Sequence, residues 1–466
     1  MEDNDGKTAS EFPIVYYLIS LIWKVFGKHE WIFRLFNLLV SLLGMLALLK
    51  IFEHFLKDSF WSLFSVCLLF TSGIYVYYSF NFLMNTTAFN MALIGWYFFF
   101  KYYSNHRVRF LYFTFACFLI GGLLKMSSLI SFIAMCGLFL FDWIQSGWST
   151  QSKQSVKQKE AIPHRSIFMI LATVVVLVII LWISYVKAYN SKWNSGVFLV
   201  GILPIWDLTI DEISAIVENI RHIRLEEYYY RPTQILFLIG LLSIWGFYRK
   251  VEHSLLLLTS LLSLGFLGLV LLFFAPLGQH DYYVIDLLIL SVFIMLSILT
   301  LLIHSGIKNL LIDLHILKLA AIVFIILNVS HTQDRMEVRY HGWLNSRHQN
   351  EFFGYGDIEP ILDSLGIDDS AKVISADDPT INITLYLMNR RGWTIYGTNL
   401  NDSATIAGLI EMGAGFLLYH KEQDFSDNPN WDFFVTEEIG KHKNVTICKL
   451  GLPELSSFQF ENIELE

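Results

Sequence analysis

The chain has 466 residues, of which 55% are apolar, 16% aromatic and only 16% charged, with a mean hydropathy of +0.50. Charged residues make up about a quarter of an ordinary soluble domain, which argues against a water-soluble enzyme. The net charge of −8 argues against a nucleic-acid binder, which would carry a basic stripe. The composition is that of a multi-span membrane protein.

In chain order, the polar opening Met1–Glu11 lacks a basic n-region, so no cleavable signal peptide is predicted. The apolar run 13–26 is short and aromatic, with Pro13 at its start, and reads as a helix lying in the membrane interface. A hydrocarbon core about 30 Å thick needs roughly 20 apolar residues per helix. Runs that qualify, or nearly do, lie at 33–52, 59–78, 86–103, 110–124, 126–144, 166–186, 233–249, 254–275, 283–303 and 311–330. That makes about ten spans. Only Gly121-Gly122 and Lys125-Met126-Ser127 separate the fourth from the fifth.

Charge divides the chain in two. Residues 331–466 hold 22 acids and 10 bases, a net of −12, and the first 330 hold 19 acids and 23 bases, a net of +4. The expected domains are therefore a helical membrane bundle over 1–330 and a water-compatible domain over 331–466. Within the tail, Tyr355–Leu365, Thr384–Met388 and Ser403–Met412 have helical spacing. Lys372–Ala376, Phe416–Tyr419 and Val445–Leu450 read as strands. Alternating strands and helices predict a small α/β domain. Loop bases (Lys57; Lys101, Arg107, Arg109; Lys153, Lys157, Lys159, Arg165; Arg249, Lys250; Lys308) collect on one set of alternate loops. This bias predicts that those loops are cytoplasmic and that the tail lies outside.

The four cysteines fit no zinc or redox spacing, and Cys67, Cys117, Cys136 and Cys448 read as small hydrophobes. There is no HExxH, no GxSxG and no metal-spaced His/Cys set. No cofactor is implied, and a divalent metal is left open.

Polar groups near membrane helices are costly to desolvate and mark the candidate sites. Glu11 precedes Pro13 and the pair Tyr16-Tyr17, where a carboxylate could take an acceptor proton and the tyrosines could hold the acceptor. The plainer reading of that segment is an interfacial anchor. His280-Asp281-Tyr282-Tyr283 follows the span ending at Pro276 and could bind a phosphate or a sugar; an aromatic belt is the alternative. The loop reads as short and exposed, so removing His280 or Asp281 is expected to affect transfer and to cost little stability. Lys125, with Arg221 and Arg224 in the long loop 187–232, could meet a lipid-linked phosphate. Snorkelling accounts equally for the lysine, and a solvated face for the arginines.

Glu11-Phe12-Pro13-Ile14-Val15-Tyr16-Tyr17-Leu18, then Phe26-Gly27, Glu30 and Arg34-Leu35-Phe36-Asn37, resembles the "P-x-Y-Y-x-L … F-G … R-L" signature of the GT-C membrane glycosyltransferases. The branch it resembles is the dolichyl-phosphate-mannose protein mannosyltransferase-like one, which includes the bacterial lipid A aminoarabinose transferases. Gly121-Gly122-Leu123-Leu124-Lys125-Met126-Ser127 is similar to that branch's "G-L-A-x-L-x-K-x-S" segment, and His280-Asp281-Tyr282-Tyr283 to its outer-loop H-D-Y-Y element. The resemblance covers residues 10–330. It implies inverting transfer of a sugar from a polyprenyl-phosphate donor to a glycan, lipid or protein acceptor outside the cytoplasm. An acidic base would lie in the first outer loop, Lys125 would meet the donor phosphate, and His280 to Tyr283 would line the donor side. Membrane lipids are the other implied partners, and nucleic acid is not one.

Two further classes stay open on the residues alone. A flippase for lipid-linked saccharides would show repeated halves, and none is found. A polymerase or O-antigen ligase would concentrate arginines and a histidine in one outer loop, as Arg221-His222-Ile223-Arg224 does. In the family a first span precedes the catalytic loop, whereas this sequence opens inside what that loop should be. The expectation is that the true base lies upstream of Met1, with Asp3, Asp5 and Glu11 as the substitutes and Glu11 the favoured one.

Overall fold

The structure is a computed structural model. It describes residues 7–149, 163–193, 201–304, 315–343, 346, 348–396, 398–420 and 431–452. Two compact units divide the chain, one ending at Met336 and the other beginning at Glu337.

The first unit is helical. Its helices are α1 (Ile14–Phe26), α2 (Glu30–Leu56), α3 (Ser59–Phe70), α4 (Gly73–Ser79), α5 (Asn85–Asn105), α6 (Val108–Leu124), α7 (Leu129–Ser149) and α8 (Arg165–Lys192). They continue with α9 (Ile210–Asn219), α10 (Leu225–Tyr228), α11 (Arg231–Gly246), α12 (His253–Leu272), α13 (Phe274–Gln279), α14 (Leu288–His304) and α15 (His315–Glu337). Six described helices are long and apolar enough to cross a membrane, or seven if one bent pair is a single span. The runs expected at 86–103, 110–124 and 233–249 form α5, α6 and α11, which do not meet that measure. α6 and α11 are short, at 17 and 16 residues, and α5 carries the buried polar residues Asn85, Thr86, Thr87 and Asn90.

That polar face is satisfied inside the bundle. Asn90 accepts from the Tyr75 hydroxyl at 2.9 Å and donates to Ser41 at 3.2 Å, while Thr87 donates to Asn37 at 2.7 Å. Hydrogen bonds between helices replace water where none is available. The expected second span is not one straight helix, because α3 and α4 meet at a bend of 78°. The break falls on buried Thr71-Ser72, and the Thr71 carbonyl it frees accepts from the Thr332 hydroxyl at 2.6 Å. Broken helices persist at membrane depth only with such internal partners. α15 runs on to Glu337, past the expected end at 330, because hydropathy marks the apolar stretch and not where the backbone ladder stops.

The most buried of the apolar helices is the segment Asp281–His304. Trp96, Phe100 and Phe118 pack together beside it, and Trp96 meets Phe293 edge-on with ring centroids 4.8 Å apart. Of the cysteines, Cys117 is buried and Cys67 and Cys136 are partly so, each without a disulfide.

The second unit is an α/β domain. Strands β1 (Lys372–Ser375), β2 (Arg391–Thr394), β3 (Ala414–His420), β4 (Val435–His442) and β5 (Val445–Leu450) form one sheet in the order β2-β1-β3-β5-β4. β1 is parallel to β2 and β3, and β5 is antiparallel to β3 and β4. Helices α16 (Glu359–Ser364), α17 (Ile383–Met388) and α18 (Ser403–Glu411) accompany it. Side chains alternate faces along a strand. Val373, Leu418 and Ile447 therefore enter one apolar cluster with Leu362 and Met388, and Ile374, Leu417 and Cys448 enter the other with Ile406 and Leu409. Both faces are covered, which explains the nearly continuous apolar runs of β1 and β3. Gly392 allows β2 to approach β1, since a Cβ there would sit 1.7 Å from the Val373 carbonyl oxygen.

Candidate active site

Three separate pieces of the first unit converge. The first is the segment before α1, which side chains of α8 hold in place. Asn190 accepts from the Ala9 N–H at 2.7 Å and donates to its carbonyl at 2.9 Å, and the Trp182 indole donates to the Ser10 carbonyl at 3.1 Å. Phe12 stacks edge-on against Trp182, and its N–H donates to the Leu123 carbonyl at 3.0 Å. Glu11 lies between these anchors and is fixed at the end of α6.

The second piece is the break between α6 and α7. Lys125 is extended (φ −155°) between α6 and the single turn Met126–Ser128. Its N–H donates to Gly121, and the Ser128 hydroxyl donates to the Ala88 carbonyl at 3.2 Å. A Cβ on Gly121 would come within 3.1 Å of both that carbonyl and the Ser128 Oγ, so glycine lets the turn seat on α5.

The third piece is the tight helical segment Asp281–Leu287 after α13. Asp281 is buried and accepts from the Tyr78 hydroxyl at 2.7 Å. The Tyr282 carbonyl accepts from Asn85 at 3.2 Å. Arg224 donates to the carbonyls of Gly278 and Gln279, at 3.3 and 3.0 Å, directly before His280. His280, itself exposed, stacks on Tyr282 with centroids 5.0 Å apart.

The pieces meet at Lys125. Its ammonium lies 3.1 Å from the Glu11 carboxylate and 5.6 and 5.1 Å from the ring centroids of Tyr282 and Tyr283. The rings are negative on their faces and favour a cation there. The lysine side chain is 18% exposed and the glutamate 23%, so the pair is sheltered yet reachable. Chemically, this is a cation that can exchange a carboxylate for a phosphate, next to a carboxylate that can accept a proton.

Of the residues singled out in the sequence, Glu11, Lys125, His280, Asp281, Tyr282, Tyr283 and Arg224 are brought together. Tyr16 lies within electrostatic reach of Glu11 and packs against Phe33, while Tyr17 is largely exposed on α1. Arg221 is exposed in the wide turn Ile220–Arg224, and no contact joins it to the cluster among the described residues. Arg224 serves backbone carbonyls. Asp3 and Asp5 lie outside the described residues.

Two residues escaped the sequence reading. Tyr78 carried no signal beyond an aromatic helix end. Asp286 did carry one, as an ionisable residue at the start of an apolar run; it is buried and accepts a hydrogen bond from Ser127.

Burial also changes one expectation. The His280-Asp281 loop reads as exposed in sequence, with Asp281 dispensable for folding, yet Asp281 is 6% exposed and bonded to Tyr78. Asp281→Ala is therefore expected to cost about 1 kcal/mol, because it removes a buried acceptor of the Tyr78 hydroxyl. Asp281→Asn, which keeps an acceptor, should cost less. Thermal unfolding of the detergent-purified variants checks this; equal melting temperatures for Ala and wild type would contradict it.

Residues 10–185 match the model of the family described as dolichyl-phosphate-mannose-protein mannosyltransferase. Two solved structures share the overall fold. One is that of ArnT from Cupriavidus metallidurans bound to undecaprenyl phosphate, with a TM-score of 0.54 at 12% identity, covering 94% of this chain and 87% of that one. The other is the same protein in the apo state, with a TM-score of 0.53 at 11% identity, covering 95% and 88%. No curated protein matches the sequence.

Proposed function

We infer, from the match of residues 10–185 to the mannosyltransferase family model and from the ArnT-like fold, that the chain is a GT-C membrane glycosyltransferase that transfers one sugar from a polyprenyl-phosphate donor to a glycan, lipid or protein acceptor. The reaction takes place at the outer face of the cytoplasmic membrane and inverts the anomeric carbon. The observation that carries this reading is the Glu11–Lys125 pair set over Tyr282 and Tyr283. The undecaprenyl phosphate held by the ArnT structure is the same class of ligand.

The donor phosphate competes with Glu11 for Lys125. Binding thereby neutralises the phosphate and releases the carboxylate in one exchange. The acceptor hydroxyl then attacks the anomeric carbon as the bond to the phosphate oxygen breaks. Its proton passes to Glu11, and the electron pair stays on the phosphate beside Lys125. Tyr16 and Tyr17 flank the acceptor side, and His280 to Tyr283 the donor side. Arg224 contributes by holding the backbone before His280, and Arg221 is left to the outer surface, where phosphate-bearing lipid is the available anion. Asp3 and Asp5 remain the alternative carboxylates of the same segment.

Incubating membranes that contain the protein with labelled polyprenyl-phosphate sugars tests the reading. Transfer of a single sugar is expected. Block transfer would make it a ligase, and translocation without transfer a flippase.

The basic bias of the alternate loops supports an acidic tail outside the cytoplasm. A phosphatase fused at Glu466 is expected to be active, and a fluorescent protein at the same position dark. Cytoplasmic fluorescence without phosphatase activity would invert the topology and remove the site from the outer face.

A further inference from the structure

Asp286 is only 2% exposed, and one of its carboxyl oxygens accepts a hydrogen bond from the Ser127 hydroxyl. The other oxygen is equally buried and has no hydrogen-bond partner among the described residues. A half-satisfied carboxyl group inside an apolar bundle weakens a fold, and an apolar side chain of similar size would serve packing better. Stability therefore does not explain it, and its position does. Ser127 stands two residues after Lys125 in the turn Met126–Ser128, and Asp286 stands just after Tyr282 and Tyr283 in the segment Asp281–Leu287. Their bond ties the backbone that carries the cation to the backbone that carries the rings beneath it.

The rest of the turn is held from other directions, by Gly121 through the Lys125 N–H and by Ala88 through Ser128. No other side-chain hydrogen bond among those described links the Lys125 turn to the tyrosine segment. A lysine stem is long and flexible, so the placement of its ammonium depends on where its backbone is fixed.

We propose that Asp286 is a positioning residue, which acts through Ser127 to hold Lys125 over Tyr282 and Tyr283 where the donor phosphate arrives. This rests on the reading of Lys125 as the donor-binding cation. Two measurements on the full chain in detergent separate the claims: KM and kcat for a polyprenyl-phosphate sugar, and the melting-temperature rise caused by polyprenyl phosphate alone.

Ser127→Ala and Asp286→Ala are each expected to raise the donor KM about tenfold, the loss that follows from one buried hydrogen bond, with kcat nearly unchanged. The double variant should be no worse than either single one, because both remove the same bond. Asp286→Asn should restore the wild-type KM and the full melting-temperature rise, since its amide oxygen still accepts from Ser127. A role in folding alone would lower abundance without this split between KM and kcat. Additive single losses, an Asn variant as impaired as Ala, or an unchanged donor KM in Asp286→Ala would each overturn the proposal. Lys125→Met distinguishes the underlying reading. If it weakens donor and polyprenyl phosphate binding while Asp286→Ala does not, positioning alone fails; if it weakens neither, the donor reading fails with it.

Discussion

Lys125→Met is expected to lower sugar transfer about 100- to 1,000-fold, the range found when one preorganised charge-stabilising group is removed from an active site. The argument is electrostatic. As the glycosidic bond breaks, negative charge gathers on the phosphate oxygen, and Lys125 is the cation that lies among Glu11, Tyr282 and Tyr283. Little of the loss should come from unfolding. The pair with Glu11 is partly exposed, and such pairs contribute about 0–1 kcal/mol; the released carboxylate can rehydrate. Lys125→Arg keeps the charge but not its compact shape, and should fall between Met and wild type. Donor KM should rise in both variants. Transfer by Lys125→Met within threefold of wild type, at equal membrane abundance, would remove this residue from the reaction.

Glu11→Gln should have the other large effect, lowering kcat about 100- to 10,000-fold as expected for loss of a general base. The amide retains the size of the carboxylate and can still accept from Lys125, so the segment should keep its place and donor KM should change little. The contrast with Lys125→Met is the useful part: one variant loses binding and charge stabilisation, the other only proton transfer. Asp3→Asn and Asp5→Asn serve as comparators. Both should stay close to wild type, because Glu11 is the carboxylate pinned beside the cation by Asn190, Trp182 and Leu123. Activity that survives Glu11→Gln but disappears in Asp3→Asn or Asp5→Asn would move the base along the same segment.

What the sequence determined by itself are properties set by nearby residues. Hydropathy marks the apolar helices, charge marks the change to an acidic tail, and short apolar runs mark β1, β3 and β5. The two strands that sequence reading missed, β2 and β4, are the edges of the sheet. Edge strands are short or polar by necessity, since they face water and must not recruit another chain; the run Thr436-Glu437-Glu438 in β4 shows why no apolar pattern could reveal it.

Tertiary structure alone decided the site. Glu11 meets Lys125 across 114 residues, Ser127 meets Asp286 across 159, and Tyr78 meets Asp281 across 203. Lys125 was legible, because a lysine at a helix break stands out in a membrane sequence; Asp286, an acid in an apolar run, carried a signal that went unread, and Tyr78 carried none. The partners themselves were not legible. Pairing depends on which helix ends are brought together, and no local period encodes that. The same reason covers the buried state of Asp281 and the bend between α3 and α4: each is set by a neighbour distant in sequence, Tyr78 in one case and Thr332 in the other.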